Sequence, residues 1–481
     1  MRRIYRYWIV LLPVLIPTVL AVAAHGDSRA ATVRDFGAAG DGKTDDTAAI
    51  QKAVDAGTGD VRLPRGAYRI TRPIVIDLNK HGPVSFVGSG AARIIMAGPG
   101  PALKFIGTHQ GTADPETVKP EVGLRQRMPT VDGLEIVGAH EEACGIEATG
   151  TMHMVITRVT VRESLHGVHL TVRDRNVIVS NCHLYKNRGV GLYLDQVSLH
   201  QTNVTGCHIS YNAAGGVVVR GGSVFNVHVA GCDIEANRFN LLLENVASSG
   251  NGGEVAVTGC TLQHAGGPDS ANIRLLGDKD RKTCYYVTIA NNVISDTETN
   301  IDIKKGRGVS IIGNTLWLGY KYNLRVEDSS DIVVGPNNFC RNPRFKDEER
   351  ADYGVLFRNC RDVSVTGLHL TKTLRTPAAL VFEGCRRANV GGCTILDCAG
   401  GGILMSNVAD SRVADCLIRN DLPDVKSWAS IRMIGGRGNL IANNLLGGPV
   451  QAKPESTRSV GNVIQPPVTP AARSSCPQNK E

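Results

Sequence analysis

The chain has 481 residues, a formal charge of +8, 54 glycines and only 5% aromatic residues. So small a basic excess gives no reason to expect a nucleic-acid partner, and it suits an acidic polymer better. Thirteen cysteines without a Cys-x-x-Cys pair at zinc-like spacing indicate no metal site, and they read as buried thiols.

Arg2, Arg3 and Arg6 precede an apolar stretch, 7–24, and Ala21-Val22-Ala23 offers small residues for cleavage. Residues 1–31 are therefore predicted to be an export signal or an uncleaved N-terminal anchor. The expected location is secreted, periplasmic or at the cell surface, and no later segment is long and apolar enough to hold the cleaved chain in a membrane. Loss of the three arginines lowers the charge from +8 to +5.

Next comes Val33-Arg-Asp-Phe-Gly-Ala-Ala-Gly-Asp-Gly-Lys-Thr-Asp-Asp-Thr-Ala-Ala-Ile-Gln-Lys-Ala-Val-Asp-Ala56. Gly40-Asp41-Gly42 is a turn, and Asp45 and Asp46 suit the start of a helix over 45–56 with Ala49, Ile50, Ala53 and Val54 on one face. A lone amphipathic helix here is expected to cover the open end of a stacked core. Together with Val61-Arg-Leu-Pro-Arg-Gly-Ala-Tyr68, this opening resembles that of the pectate-lyase-like superfamily. Its members are right-handed parallel β-helix proteins, among them polygalacturonases, rhamnogalacturonases, epimerase-like lyases and phage tailspikes. The resemblance implies a fold and not a reaction.

Residues 61–106 alternate apolar residues with Gly and Pro as irregular first coils, and 107–128 form a long polar insertion. From about 129 to 446 one line repeats. Val177-Ile-Val-Ser-Asn-Cys182-His-Leu184 returns as Thr202-Asn-Val-Thr-Gly-Cys207-His-Ile209 and as Val227-His-Val-Ala-Gly-Cys232-Asp-Ile234, each running on to an Asn (Asn187, Asn212, Asn237). The Cys182 position is filled in turn by Leu134, Val159, Cys182, Cys207, Cys232, Cys260, Asn292, Asn314, Asn337, Leu368, Cys393, Cys416 and Asn443, in steps of 22–32 residues. A period of this length without a helical pattern predicts an all-β chain: a single right-handed parallel β-helix over 32–464, one coil per repeat, with cysteines and asparagines in ladders. The tail, 465–481, is too polar and proline-rich to fold alone.

The last strand of each coil alternates in and out, so its outward residues stack into two columns. One reads Glu147, His169, Gly191, Val218, Leu242, Arg274, Asp302, Arg325, Leu356; the other Thr149, Thr171, Tyr193, Arg220, Glu244, Leu276, Lys304, Glu327, Arg358. Charge gathers at Arg274, Asp302, Lys304, Arg325 and Glu327, and the two longest repeats insert their extra residues on either side, at 263–284 and 341–353. Asp302 and Glu327 are the expected catalytic pair, either as the two carboxylates of a glycoside hydrolase or, with the cations abstracting a C5 proton, as part of a lyase site. Arg274, Lys304, Arg325 and Glu244 are the expected substrate contacts. No cofactor is expected for hydrolysis, while a lyase leaves room for a divalent cation such as calcium. A ladder of structural salt bridges is the competing reading of the same residues.

The motifs that polygalacturonases carry on this sheet are incomplete. Glu298-Thr299 stands where paired aspartates are expected before Ile301-Asp-Ile-Lys-Lys-Gly306, and His166-Gly167, with Glu141-Glu142 one coil earlier, makes a second, partial candidate. The sequence therefore supports an exported hydrolase or lyase acting on an acidic, uronate-containing glycan, with a non-catalytic carbohydrate-binding or adhesion rod as the alternative.

Overall fold

The computed structural model describes residues 31–111, 115–245, 253–277, 284–342, 344, 350–422 and 428–465. The expected export signal or anchor, up to residue 30, and the tail beyond Gln465 lie outside these residues, as do parts of the insertions flanking the charged patch.

From Thr32 onward the chain forms one compact unit in which strands pair in parallel with the strand one coil later. Three sheets result, typified by 190–195, 198–205 and 208–210, called here the front, second and third sheets. Most strands carry inward Val, Ile or Leu, so the interior is a continuous apolar column from Val33 to Leu446. Stacked β-branched and leucine side chains fill most of it, and a few rings, among them Tyr68, Phe86, Phe105, Phe339 and the stacked pair Phe357 and Phe382, are fully buried in the same column.

The helix Thr47–Asp55 buries Ile50, Ala53 and Val54 against the first coils, as the covering role requires. Its acids act differently from simple caps. Asp45 accepts from the Thr47 amide and hydroxyl and from Thr71, while Asp46 turns back to accept the Ala39 and Gly40 amides. The insertion 107–128 contributes a short helix, Pro120–Arg125, that the polar composition had concealed.

Two side-chain ladders fix the corners. Asn187, Asn212, Asn237, Asn240, Asn272 and Asn300 each pass an amide hydrogen to the next side-chain carbonyl at 2.6–2.9 Å, and the ladder ends at Asn323, which accepts from Asn300. At the other corner the backbone N–H of Cys207 donates to Cys232 Sγ, Cys232 to Cys260 Sγ, Cys260 to Asn292 and Asn292 to Asn314. Cys182, Cys207, Cys232 and Cys260 are buried thiols in one column, without disulfides. Buried backbone amides at a bend need acceptors, and these side chains supply them.

Two register expectations change. Tyr193, not Gly191, follows His169 in the first front column, which puts Asp195 before Arg220 in the second. In the last coil Asn444, not Asn443, fills the ladder position by accepting from the Cys416 amide, and strands continue to Val463–Ile464.

Candidate functional site

Four front-sheet strands carry the first group. Lys104, Glu147, His169 and Tyr193 are register partners in successive coils, and Asp195 and Arg220 lie beside them in the second column. Lys104 Nζ is 3.1 Å from Glu147 Oε1, Glu147 Oε2 is 3.7 Å from His169 Nδ1, and His169 Nε2 is 3.3 Å from Asp195 Oδ2. The Tyr193 ring stacks on His169 with centroids 5.2 Å apart and planes 9° apart. His166 closes the group, 5.1 Å from the Tyr193 ring, while its Nδ1 accepts the Val190 amide.

The electrostatics follow from these neighbours. The His169 imidazole, with Lys104 beside it, holds the Glu147 carboxyl at about 2 against the opposing effect of burial. Burial lowers His166 to about 4, so its imidazole is neutral. Burial, with the Asp195 charge, pushes the Tyr193 phenol up, keeping its proton in place. The group thus holds a phenolic acid, an imidazole whose two nitrogens each face a carboxylate, and two half-exposed cations, Lys104 and Arg220.

Val218 and Leu242, with Phe239 and Leu276, then form an apolar strip against Tyr193. Beyond it stands the patch expected from the sequence, with Arg274, Asp302 and Arg325 as successive register partners. Asp302 is only 3% exposed. Its Oδ2 is 2.8 Å from Arg274 Nε, and Arg325 grips both oxygens at 2.7 and 2.9 Å. Asp269, from an inserted turn, takes the far side of Arg274 at 2.8 and 3.0 Å. Glu327 lies diagonal to Asp302 and is bound by Arg358, which also holds Glu383. Lys304 is exposed between these rows, and Glu244 belongs to the first group, held by Arg220 at 2.6 Å. Of the second sequence candidate, His166 joins the first group, whereas Glu141 and Glu142 sit in the turn before Ala143. The sequence reading missed Asp195 altogether, because it set this strand two residues out of register with its neighbour.

The "Right handed beta helix region" family model matches residues 127–262, and the model described as "Periplasmic copper-binding protein (NosD)" matches 244–465. The copper of that description meets no ligand set within 244–465 among the described residues. One convergent group, His208, Asp233 and Glu235, lies upstream of the matched segment. "Alginate lyase 7" of Azotobacter vinelandii is 63% identical over 43 residues, 8% of this chain and 5% of that protein. "Mannuronan C5-epimerase AlgE6" of the same organism is 34% identical over 145 residues, 27% of this chain and 16% of that protein. The chain thus spans small fractions of these relatives. Among solved structures, the pre-mature bacteriophage phi29 gene product 12 aligns over 90% of this chain and 56% of that chain, with a TM-score of 0.54 at 13% identity. That likeness is one of fold. The stacked parallel coils and the family model that matches them agree, and the chain is a right-handed parallel β-helix protein, with the fold that the pectate-lyase-like superfamily shares.

Proposed function

We propose that the protein is an exported enzyme that acts on a uronate-containing polysaccharide by removing the C5 proton, with its reacting groups on the Lys104–Arg220 part of the front sheet. The observation that carries this reading is the stacked His169–Tyr193 pair between two cations. A uronate C5–H is acidified by its own carboxylate, and a cation beside that carboxylate stabilises the carbanion character that develops. Lys104 and Arg220 supply that charge, His169 accepts the proton, and the protonated Tyr193 phenol donates to the departing O4 oxygen. The result is cleavage with an unsaturated product. Reprotonation at C5 from the opposite side, without loss of O4, gives epimerisation instead. The short alginate lyase and mannuronan epimerase matches support this substrate class. Because protein cations meet the carboxylate, turnover is expected to survive removal of calcium.

Asp302 and Glu327 support a hydrolase less well, since arginines already hold both Asp302 oxygens and bind Glu327. The same satisfied charges favour the second reading, a rod that binds an acidic glycan without altering it. The experiment is to offer purified protein polymannuronate, polyguluronate, polygalacturonate and a neutral glucan, reading ultraviolet absorbance of unsaturated ends and C5 deuterium exchange. Product from a uronate polymer that is lost in Tyr193→Phe supports the proposal. Binding without either signal selects the rod.

A further inference from the structure

The third sheet carries a group that plays no part in this chemistry. His208 and Asp233 are register partners, and Asp233 and Glu235 stand on one face of a three-residue strand. One donor atom from each of His208, Asp233 and Glu235 lies within 4.8 Å of the other two. His208 Nδ1 is 3.7 Å from Asp233 Oδ2, and its Nε2 is 3.9 Å from Glu235 Oε1. One coil on, His264 Nδ1 is 3.8 Å from Glu235 Oε2. All three separations exceed hydrogen-bond length, so these carboxylates are gathered around imidazoles without being satisfied by them. Asp233 Oδ1 is buried with no hydrogen-bond partner at all. An orphaned carboxylate oxygen next to a second carboxylate is costly unless a cation joins them.

We propose that His208, Asp233 and Glu235 bind a divalent transition-metal ion that clips neighbouring coils of the third sheet together. Zinc bonds to nitrogen and oxygen are about 2.0–2.2 Å, so ligand atoms of a tetrahedral shell are about 3.4 Å apart. Only one nitrogen of His208 can bind the ion, so side-chain rotations that close a spacing of up to 4.8 Å by about 1.4 Å complete three corners. One imidazole and two carboxylates without thiolate suit zinc or copper(II) better than calcium, which takes oxygen ligands. His264 approaches Glu235 from the next coil but lies outside this trio and faces Asp296 through Nε2 at 3.6 Å.

The test uses the whole chain, stripped by chelation, titrated separately with zinc chloride and copper(II) chloride. Calorimetry is expected to show one tight equivalent, and the copper form should show nitrogen hyperfine splitting in its electron paramagnetic resonance spectrum. His208→Ala and Glu235→Gln should each weaken binding at least tenfold, whereas His228→Ala on the second sheet should not. Circular dichroism identifies any variant that fails to fold, and wild-type stoichiometry with nitrogen coupling then decides. Absence of a tight equivalent in the wild type, or unchanged affinity in both site variants, overturns the proposal. Neither result bears on uronate turnover, which is read on the front sheet.

Discussion

The front sheet presents two charged regions on one backbone, and they differ in how their charges are answered. In the C-terminal region the Asp302 oxygens face Arg274 and Arg325, and Glu327 faces Arg358. In the N-terminal region Glu147 is shared between an ammonium and an imidazole, His169 lies between two carboxylates, and a phenol stacks over it. Arginine holds a carboxylate in a fixed fork and does not titrate, so the first arrangement is stable and inert. Imidazole and phenol change protonation at modest cost, so the second has groups that can move a proton. Charge density alone does not mark a reactive site; the identity of the partner does.

The largest expected effect breaks this comparison if it fails. His169→Ala and Tyr193→Phe should each lower turnover on the responding uronate polymer by about 10²–10⁴-fold, or about 3–5 kcal/mol in barrier. Asp302→Asn should leave turnover per folded molecule unchanged. It should instead cost about 3 kcal/mol of stability, because Arg274 and Arg325 lose the buried charge between them. Parallel turnover and urea-unfolding measurements check both statements. Lost turnover in Asp302→Asn with wild-type unfolding would return the site to the C-terminal region.

A third prediction concerns pH. Asp174, wholly buried where the front sheet bends into the second, accepts from the Thr151 amide and hydroxyl through Oδ1 while Oδ2 has no partner. Burial pushes its carboxyl up to about 7. The folded chain therefore keeps a proton that the unfolded chain releases from about pH 4 upward, and stability falls as pH rises through that window. Glu147 has the opposite sign, since its depressed value gives stability that is present above about pH 4.5 and is lost as pH falls towards 2. Between about pH 5 and pH 7 the Asp174 effect should reach about 2 kcal/mol. Asp174→Asn keeps an acceptor for Thr151 and should flatten that slope in urea midpoints; an unchanged slope would assign it to other groups.

Much of the fold was legible because every coil must solve the same problem, so the Cys182 column could be followed by eye through most of the chain. The misses have local causes. Val190-Gly191-Leu192-Tyr193-Leu194 has no polar alternation, and Tyr193 packs on Val218 and Leu242, so neither face announces itself. Asn443-Asn444 offers two asparagines for one position. The rule that separates them was present at Asn291-Asn292, where the first residue takes a positive φ of 57° and the second turns inward. Asn443 has φ of 56°, so Asn444 is the inward one. The candidate site was less legible, because charge is densest in the C-terminal part of the columns, and Asp195 joins the second column only in the observed register.

The smallest expected effect compares two rungs of one ladder. Cys260 and Asn292 occupy equivalent positions, each accepting the N–H of the preceding rung, but sulfur does so at 3.4 Å and the amide oxygen at 2.9 Å. Asn292 also donates to Val257 and Asn314, whereas the thiol of Cys260 points at carbonyls already used by the coils. Asn292→Ala should therefore orphan a buried amide and two further groups, costing about 2–3 kcal/mol. Cys260→Ala removes a weak acceptor and a small apolar volume, and should cost about 1 kcal/mol. The neighbouring thiols, with burial, push Cys207 up to about 12 and Cys232 to about 11, so these two side chains stay protonated and act as packing and not as nucleophiles. Urea midpoints of the two alanine variants, with thiol titration before and after unfolding, measure the difference. Equal costs would mean that packing, and not the acceptor, holds this corner.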